Sequence, residues 1–376
     1  MTRPRSSLIS LTDTPWYHVV NRCVRRAFLC GRDAVSGQSF EHRRGWIETR
    51  IRELASVFTI DVAAYAVMSN HYHVVLRVDA ERVAGLTDDE VLARWTQLFT
   101  GPLMVQRYLQ PAARAAMGSA ECDKVREMAH TYRQRLCDLS WFMRVLNESI
   151  ARQANAEDGV KGHFWEGRFK SQALLDEQAL LAAMAYVDLN PIRAGMAETL
   201  EDSTHTSVAA RLGELKGLSF VPVAALSPTH TPTDPAADGG NPEAWGVQPG
   251  VLRLPSLRPE QDLATLPEAS LMPFDPTGRF AQAVPFGLEE YLELVDTMGR
   301  AVHPHKRGSI SPHTPAVLQR LGMDAEAFIS AADVFFRSFA SAVGTPAKLL
   351  QWAAHRQQRA MRGMVTARRV FEAKAA

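Results

Sequence analysis

The stretch from Ala64 to Val78 constrains this chain more than any other. It holds two runs rich in β-branched, aromatic and small residues, separated by a Ser-Asn pair that favours a turn. We therefore predict two neighbouring strands. Side chains alternate along a strand, so His71 and His73 project from one face and Tyr72 from the other. Two neutral imidazoles at this spacing can bind one metal ion, although ordinary strand histidines, one buried and one solvated, show the same pattern.

A second informative stretch runs from Leu180 to Met196. Its first half is rich in Ala and Leu, which predicts a helix, and two acidic residues stand near the expected N-terminus. Tyr186 and Asn190 are one helical turn apart and share a face if the helix continues that far. Pro191 disfavours a helical conformation in the residue before it, so the helix can end at Asn190. A tyrosine here is compatible with amphipathic core packing as well as with catalysis.

These two stretches and three further motifs carry a family resemblance. His71-Tyr72-His73 is similar to the histidine-hydrophobic-histidine signature of the single-tyrosine HUH transposases, and Tyr186 with Asn190 is similar to their tyrosine helix. The further motifs are Trp16–Arg22, Gly162–Lys170 and Asn190–Gly195. Over residues 14–200 the chain resembles the IS200-like transposases, and among them most the REP-associated tyrosine transposases. Tyr72 departs from the usual aliphatic middle residue and would add a second hydroxyl near the site.

The resemblance implies a chemistry. Tyr186 would be the nucleophile, and His71, His73 and Asn190 would hold a divalent metal ion, Mg²⁺ or Mn²⁺. Single-stranded DNA of an insertion sequence or a repeated palindromic (REP-type) hairpin would be cleaved and rejoined through a 5′-phosphotyrosine. All three ligands are neutral, so we expect weak metal binding until a DNA phosphate oxygen completes the coordination. Imidazole also suits softer metals than magnesium.

The order of predicted elements indicates an α+β fold. Strands are predicted over 16–24, 60–68, 71–78 and 164–175, and helices over 40–58, 83–99 and 121–156, followed by the tyrosine helix. This is the split βαβ, ferredoxin-like order, in which an antiparallel sheet carries its helices on one face, here with an inserted long helix. The resemblance implies the same fold. It places the first strand beside the strand of His71 and His73.

Composition bounds the class of protein. An apolar fraction of 46% with 22% charged residues is typical of a soluble globular protein, and 376 residues favour two folded regions. The sequence has no apolar run long enough to span a bilayer and no apolar signal core after its basic N-terminus. The four cysteines form no C-x-x-C pair, so we expect a reduced, cytoplasmic protein. Both a monomer and a homodimer remain open.

The charge distribution indicates where DNA would bind. A net charge of +1 argues against strong nonspecific coating of DNA but allows local basic surfaces. Alternation along the predicted strand 164–175 places Glu166, Arg168 and Lys170 on one face. That face suits phosphate contacts, and it equally suits a solubilised edge strand. The predicted DNA-binding residues are Arg22, Arg25, Arg26, Arg168, Lys170 and Arg193.

We predict three parts along the chain: a catalytic domain over 1–218, a Pro-rich linker over 219–285 and a helical region over 286–376. Residues 221–285 carry three Arg/Lys and seven Asp/Glu, whereas 286–376 carry twelve and eight. The basic helical region is expected to fold separately and to contact DNA outside the active site. A chain ending near Leu218 should then still cleave DNA. A basic helix also suits a membrane surface, a partner or plain solvent.

Two other functions fit the same residues. A sheet with exposed aromatic residues can bind single-stranded nucleic acid without catalysis. The histidine pair could instead serve a small-molecule metallohydrolase. Covalent trapping of the protein on DNA distinguishes the transposase-type enzyme from both.

Overall fold

The computed structural model describes residues 8–24, 29–33, 37–217, 257–258, 263, 266–302, 316–331, 335–358 and 361–372. These residues form an α+β structure in which helices surround one five-stranded mixed sheet. The predicted α+β class is confirmed.

The sheet consists of β1 (Trp16–Arg22), β2 (Ile60–Val67), β3 (His71–Val78), β4 (Lys170–Leu174) and β5 (Ala342–Val343). Its order is β2-β3-β1-β4-β5. The first four strands are antiparallel to their neighbours, and β5 is parallel to β4. The prediction that the first strand lies beside the histidine strand is confirmed.

Most of the remaining described chain is helical. One helix, α1 (Arg43–Val57), joins β1 to β2. Six lie between β3 and β4: α2 (Ala80–Ala84), α3 (Asp88–Leu98), α4 (Leu103–Tyr108), α5 (Pro111–Ala115), α6 (Ser119–Leu136) and α7 (Leu139–Glu157). After β4 come α8 (Glu177–Asp188), α9 (Asn190–Arg193), α10 (Ser207–Leu215), α11 (Leu288–Val302), α12 (Ala316–Arg320), α13 (Ala325–Ala331) and α14 (Phe335–Ser338), and after β5 come α15 (Pro346–His355) and α16 (Met364–Phe371). No described helix combines the length and apolar character that crossing a bilayer demands.

Helices cover both faces of the sheet. On one face the hydroxyl of Tyr72 donates a 2.7 Å hydrogen bond to Asn147 of α7, and α7 packs against α1. On the other face the ring of His73 contacts Tyr186 of α8. The expectation that all helices lie on one face is therefore wrong. Helix α8 follows the last antiparallel strand and buries its Ala- and Leu-rich surface on the second face, so the central strands are buried on both sides.

The predicted strand over 164–175 is too long. Pairing of β4 with β1 begins at Lys170, and before it only a single bridge joins Trp165 to Cys23. The alternation predicted for 165–169 is therefore wrong, since the residues before Lys170 form a loop. Gly162 in this loop has φ 126°, a left-handed conformation that few other residues adopt.

Two predicted helices are each divided in two by a capping residue. The helix over 121–156 breaks before Leu139, where the carboxylate of Asp138 accepts a 2.6 Å hydrogen bond from the backbone N–H of Ser140. The helix over 83–99 breaks at Thr87, which forms a capping box with Glu90. Short polar side chains that satisfy the N–H groups of a new helix compete with continuation of the old one.

The C-terminal region packs against the rest of the protein. Strand β5 extends the sheet beyond β4, and Thr345 N–H donates a 2.7 Å hydrogen bond to Asp176, the residue that caps α8. The hydroxyl of Tyr291 donates a 2.6 Å hydrogen bond to the buried carboxylate of Asp188. The expectation that this region stays apart from the catalytic part is therefore wrong, whereas the exact boundaries of the three parts stay a prediction.

These contacts reverse the expected behaviour of a shortened chain. A chain ending at Gly217 lacks β5 and Tyr291, so one edge of β4 loses its partner strand and Oδ2 of Asp188 loses the Tyr291 hydroxyl, whereas Oδ1 keeps its bonds to Ser207 and Val208. We expect it to lose cooperative unfolding and DNA cleavage, as measured by thermal denaturation and by cleavage of a single-stranded oligonucleotide. A soluble, cooperatively folded and active short chain would contradict the shared core.

A single substitution tests the same contact. Replacing Tyr291 with Phe removes one hydrogen-bond donor from buried Asp188, which should lower the free energy of unfolding by about 1–3 kcal/mol in urea denaturation. Tyr132→Phe is the matched control, because no hydrogen bond of the Tyr132 hydroxyl is found among the described residues. Its change should stay within roughly 0.5 kcal/mol. Equal effects of the two substitutions would rule out the Asp188 contact as the cause.

Candidate active site

The two histidines of β3 lie on the face of the sheet that α8 covers. Pairing within the sheet sets His73 opposite Val20 of β1 and Ala66 of β2, and His71 opposite Arg22. The His71 and His73 ring centroids are 4.9 Å apart. His73 is 5% exposed, so it is almost fully buried between the sheet and α8.

Hydrogen bonds orient both rings. Nδ1 of His71 lies 2.6 Å from Oδ1 of Asn70, an oxygen that can only accept, so Nδ1 carries the proton and Nε2 keeps a lone pair. Nδ1 of His73 lies 2.9 Å from Nε2 of His18. The other nitrogen of His73, Nε2, is buried and has no hydrogen-bond partner among the described residues.

Both imidazoles are neutral at physiological pH. Burial, followed by the positive charges of Arg22 and Arg337, lowers the pKa of His71 to about 4. Burial, followed by the neighbouring His18 and His71, holds the pKa of His73 well below its ordinary value. A neutral imidazole is the form that binds a metal ion.

Tyr186 lies against His73 and against His18, which is hydrogen-bonded to it. Its ring centroid is 5.6 Å from that of His73 and 6.0 Å from that of His18. The guanidinium of Arg193 lies 4.5 Å from the centroid of the Tyr186 ring, and the Phe336 ring is 4.7 Å away. The tyrosine is half-buried, so its ring is held in place while part of it reaches solvent.

Asn190 begins a new helix rather than ending α8. Helix α8 ends at Asp188, and Pro191 stands in the first turn of α9, where its missing N–H costs no hydrogen bond. Asn190 is 8% exposed, and its Nδ2 has no hydrogen-bond partner within the described ranges. No hydrogen bond joins it to His71 or His73 in the described part of the chain.

The residues present fit a metal ion. Across the described ranges, no group of three or more His, Cys, Asp and Glu side chains is arranged to hold a metal ion. The predicted ligand set differs in kind, since it has two imidazoles and one carboxamide. The Nδ2 of Asn190 is an N–H donor and cannot bind a metal ion, so its Oδ1 would be the ligand. His73 has a buried Nε2 without a hydrogen-bond partner in the described part of the chain, beside Tyr186. Such atoms are costly unless a bound group or water satisfies them.

Tyr72 does not belong to this site. It projects from the opposite face and is completely buried, and its hydroxyl donates to Asn147, which also accepts from Asn21. Burial raises the pKa of Tyr72 well above its ordinary value. The expectation that this residue adds a second hydroxyl near the site is therefore wrong.

The predicted DNA-binding residues divide into three groups. The first group surrounds the histidine pair and consists of Arg22, Lys170 and Arg193. In the strand register Arg22 lies opposite His71, and Lys170 lies opposite Val20 on the same face of the sheet. The guanidinium of Arg193 lies over the Tyr186 ring. Arg168 is exposed in the loop before β4. The other two predicted residues, Arg25 and Arg26, lie outside the described residues.

Arg168 lines a separate open cleft. The cleft has a volume of about 780 Å³ and lies beside α7, on the side of the sheet where Asn21 projects. Its walls include Trp141, Trp165 and Arg144. Arg168 is therefore not part of the cationic surface around the histidine pair.

Sequence analysis missed four residues of the site. His18 and Gln172 lie on the same sheet face as the pair, and the pairing of β1 with β3 and β4 brings them there. Phe336 and Arg337 come from α14, some 150 residues after Tyr186 along the chain. His18 lies in a motif that the resemblance already includes, but no local pattern indicates the last two.

Comparisons with known proteins add little to this geometry. No protein-family model and no curated protein matches the chain. A solved structure of a REP-associated tyrosine transposase bound to a REP hairpin aligns with it at 14% sequence identity. The alignment covers 64% of this chain and 94% of that one, with a TM-score of 0.31. Because that TM-score is low, we base the fold and the chemistry on the residues themselves.

Proposed function

We propose that the protein cleaves and rejoins single-stranded DNA through a covalent bond between Tyr186 and a 5′-phosphate. The observation that carries this proposal is the contact of the Tyr186 ring with His73, whose buried Nε2 has no hydrogen-bond partner in the part of the chain that the structure describes. A half-buried tyrosine whose ring contacts the neutral imidazoles of His18 and His73, with a cationic rim, suits attack on a phosphodiester. The finer proposal is a transposase acting on insertion-sequence or REP-type hairpin DNA.

The proposed reaction exchanges one phosphodiester bond for another. The Tyr186 oxygen attacks the phosphorus, the bond from phosphorus to the 3′ oxygen breaks, and the departing 3′ oxygen takes up a proton while the phenol gives one up to solvent. One phosphodiester replaces another, so rejoining is the reverse reaction and needs no nucleotide cofactor. Arg193 holds the phenol ring in place from one side.

His71, His73 and Asn190 would hold a divalent ion, Mg²⁺ or Mn²⁺, beside the tyrosine. When bound, such an ion neutralises charge on the scissile phosphate and orients it for in-line attack. The three side chains are neutral and supply no charge of their own. The surrounding Arg22 and Lys170 would contact flanking phosphates through charge-assisted hydrogen bonds.

The sheet order also bears on the proposed relationship. The sheet order contains β2-β3-β1-β4, with α1 and α7 on one face, and we propose that these elements form a ferredoxin-like unit. We propose that this unit is the framework of the site and that α8, on the other face, is the tyrosine helix added to it. Strand β5 and the remaining C-terminal elements then extend the framework.

The nucleophile can be tested by removing one oxygen atom. Tyr186→Phe should abolish the covalent adduct with 5′-labelled, hairpin-containing single-stranded oligonucleotides, because only the attacking hydroxyl is lost. DNA affinity should change by no more than about twofold, since one hydroxyl contributes little to binding. Adducts are measured on denaturing gels and affinity by fluorescence anisotropy.

Tyr72→Phe is the matched control. It removes a hydroxyl from the same strand as the histidines but on the opposite face, and it should keep adduct formation. An adduct that persists in Tyr186→Phe would assign the nucleophile elsewhere. Binding without any adduct in the unaltered protein would leave a non-catalytic nucleic-acid-binding module.

The metal site can be tested with chelator and variants. We expect EDTA to abolish cleavage and excess Mn²⁺ to restore it. His71→Ala or His73→Ala should also abolish cleavage, and excess Mn²⁺ should not restore it. Asn190→Ala should be milder, because water replaces a neutral ligand, and Asn190→Asp should bind Mn²⁺ more tightly through its added charge. Mn²⁺ binding is followed by electron paramagnetic resonance. Full cleavage in EDTA would disprove the metal's role.

A further inference from the structure

A chain of hydrogen bonds runs from the C-terminal region to His73. The carboxamide nitrogen of Gln172 donates to the backbone oxygens of Phe336 and Ala340, at 3.1 and 2.9 Å. The carboxamide oxygen of Gln172 lies 3.2 Å from Nδ1 of His18. Nε2 of His18 in turn lies 2.9 Å from Nδ1 of His73.

The direction of every bond in this chain is fixed from its C-terminal end. A backbone oxygen can only accept, so the NH₂ group of Gln172 faces Phe336 and Ala340, and its oxygen faces His18. A carboxamide oxygen can also only accept, so Nδ1 of His18 carries the proton. A neutral imidazole has one N–H, and Nε2 of His18 must therefore accept.

These bond directions determine which nitrogen of His73 carries the proton. Because Nε2 of His18 accepts, Nδ1 of His73 donates, and Nε2 of His73 is left with a lone pair. This is the buried nitrogen without a protein partner. In the opposite tautomer it would carry a hydrogen atom and could not bind a metal ion.

We propose that Gln172 is a positioning residue that fixes the tautomer of His73 through His18, with its own direction set by the C-terminal region. The role assigned to the lone pair rests on the proposed function, whereas the tautomer itself does not. Metal-bound histidines commonly donate their second nitrogen to an outer partner, and loss of such partners lowers metal affinity about 10–100-fold. Here a second histidine and a carboxamide serve as that outer partner.

The ring arrangement supports this interpretation. The planes of His18 and His73 are inclined by only 4°, with centroids 5.1 Å apart. With the two nitrogens 2.9 Å apart, the rings meet at their edges, which is the geometry of a hydrogen bond rather than of stacked faces. The Phe336 ring lies 4.6 Å from His18 and covers it.

The test reads the tautomer directly. Long-range ¹H–¹⁵N correlation spectra of the full-length protein without metal, labelled at histidine, report which nitrogen of each ring is protonated. We expect His18 and His73 both to be protonated at Nδ1. Protonation of His73 at Nε2 would overturn the proposal without any variant.

Variants distinguish the effect of the accepting oxygen of Gln172 from the effect of a hydrogen bond to the C-terminal region. Gln172→Met removes the acceptor at similar size, so His73 should show a mixture of tautomers and Mn²⁺ affinity should fall about 10-fold or more. Gln172→Glu keeps an acceptor for His18 but loses the donor to Phe336 and Ala340, so it tests whether that contact sets the direction, and it should also disturb the tautomer. Gln178→Met is the matched control, because Gln178 also donates to the C-terminal region, at Leu321, but contacts neither histidine.

The outcomes remain distinguishable from those for the proposed function. An unchanged His73 tautomer in Gln172→Met, or an equal loss of Mn²⁺ affinity in Gln178→Met, would overturn the proposal. If the unaltered protein binds no Mn²⁺, the metal site fails, but the spectra still decide the tautomer. If Gln172→Met does not fold, the spectra of the unaltered protein carry the test.

Discussion

The antiparallel pairing of β1 with β3 is the constraint on which the rest of the site depends. It sets His73 opposite Val20 and brings His18 of β1 to the same face. Helices then bury the sheet on both sides, so the polar atoms of these rings must find partners within the protein or in a bound group. His18 finds them in Gln172 and His73, and one nitrogen of His73 is left for something else.

The C-terminal region supplies contacts to the sheet and to the site that the first 217 residues do not provide by themselves. Its strand β5 extends the sheet, its Tyr291 satisfies the buried Asp188 at the end of the tyrosine helix, and its Phe336 packs on Tyr186. Residues of α8, the proposed catalytic helix, thus contact the sheet on one side and the C-terminal region on the other. A region that sequence composition sets apart is a structural part of the site, and the site's geometry depends on its presence.

The sequence predicts much of this because some of its signals are local. Alternation along β3 predicts that His71 and His73 share a face, and the helix propensity around Tyr186 predicts α8. The same reasoning fails before Lys170, where the chain keeps only one isolated bridge, from Trp165 to Cys23, and does not continue the ladder with β1. It also fails for the long helices, because capping by Asp138 stops one before its hydrophobic pattern ends.

What the sequence could not predict lies in tertiary contacts. Arg337 acts on His71 from a helix far along the chain, and nothing in its local pattern distinguishes it from other exposed arginines. Tyr72 shows the converse error. It stands between two site residues in the sequence, which suggests a role in the site, but the alternation of β3 places it on the opposite face. Contacts between distant segments, and the face on which a side chain projects, decide which residues belong to the site.

The most direct test of the central claim is to locate the covalent bond to DNA. The unaltered protein is incubated with a hairpin-containing single-stranded oligonucleotide and Mn²⁺, digested with protease and nuclease, and analysed by tandem mass spectrometry. The account predicts a nucleotide remnant on the Tyr186 oxygen and none on Tyr72. A remnant on any other residue, or the absence of a remnant from DNA that has been cleaved, would contradict it.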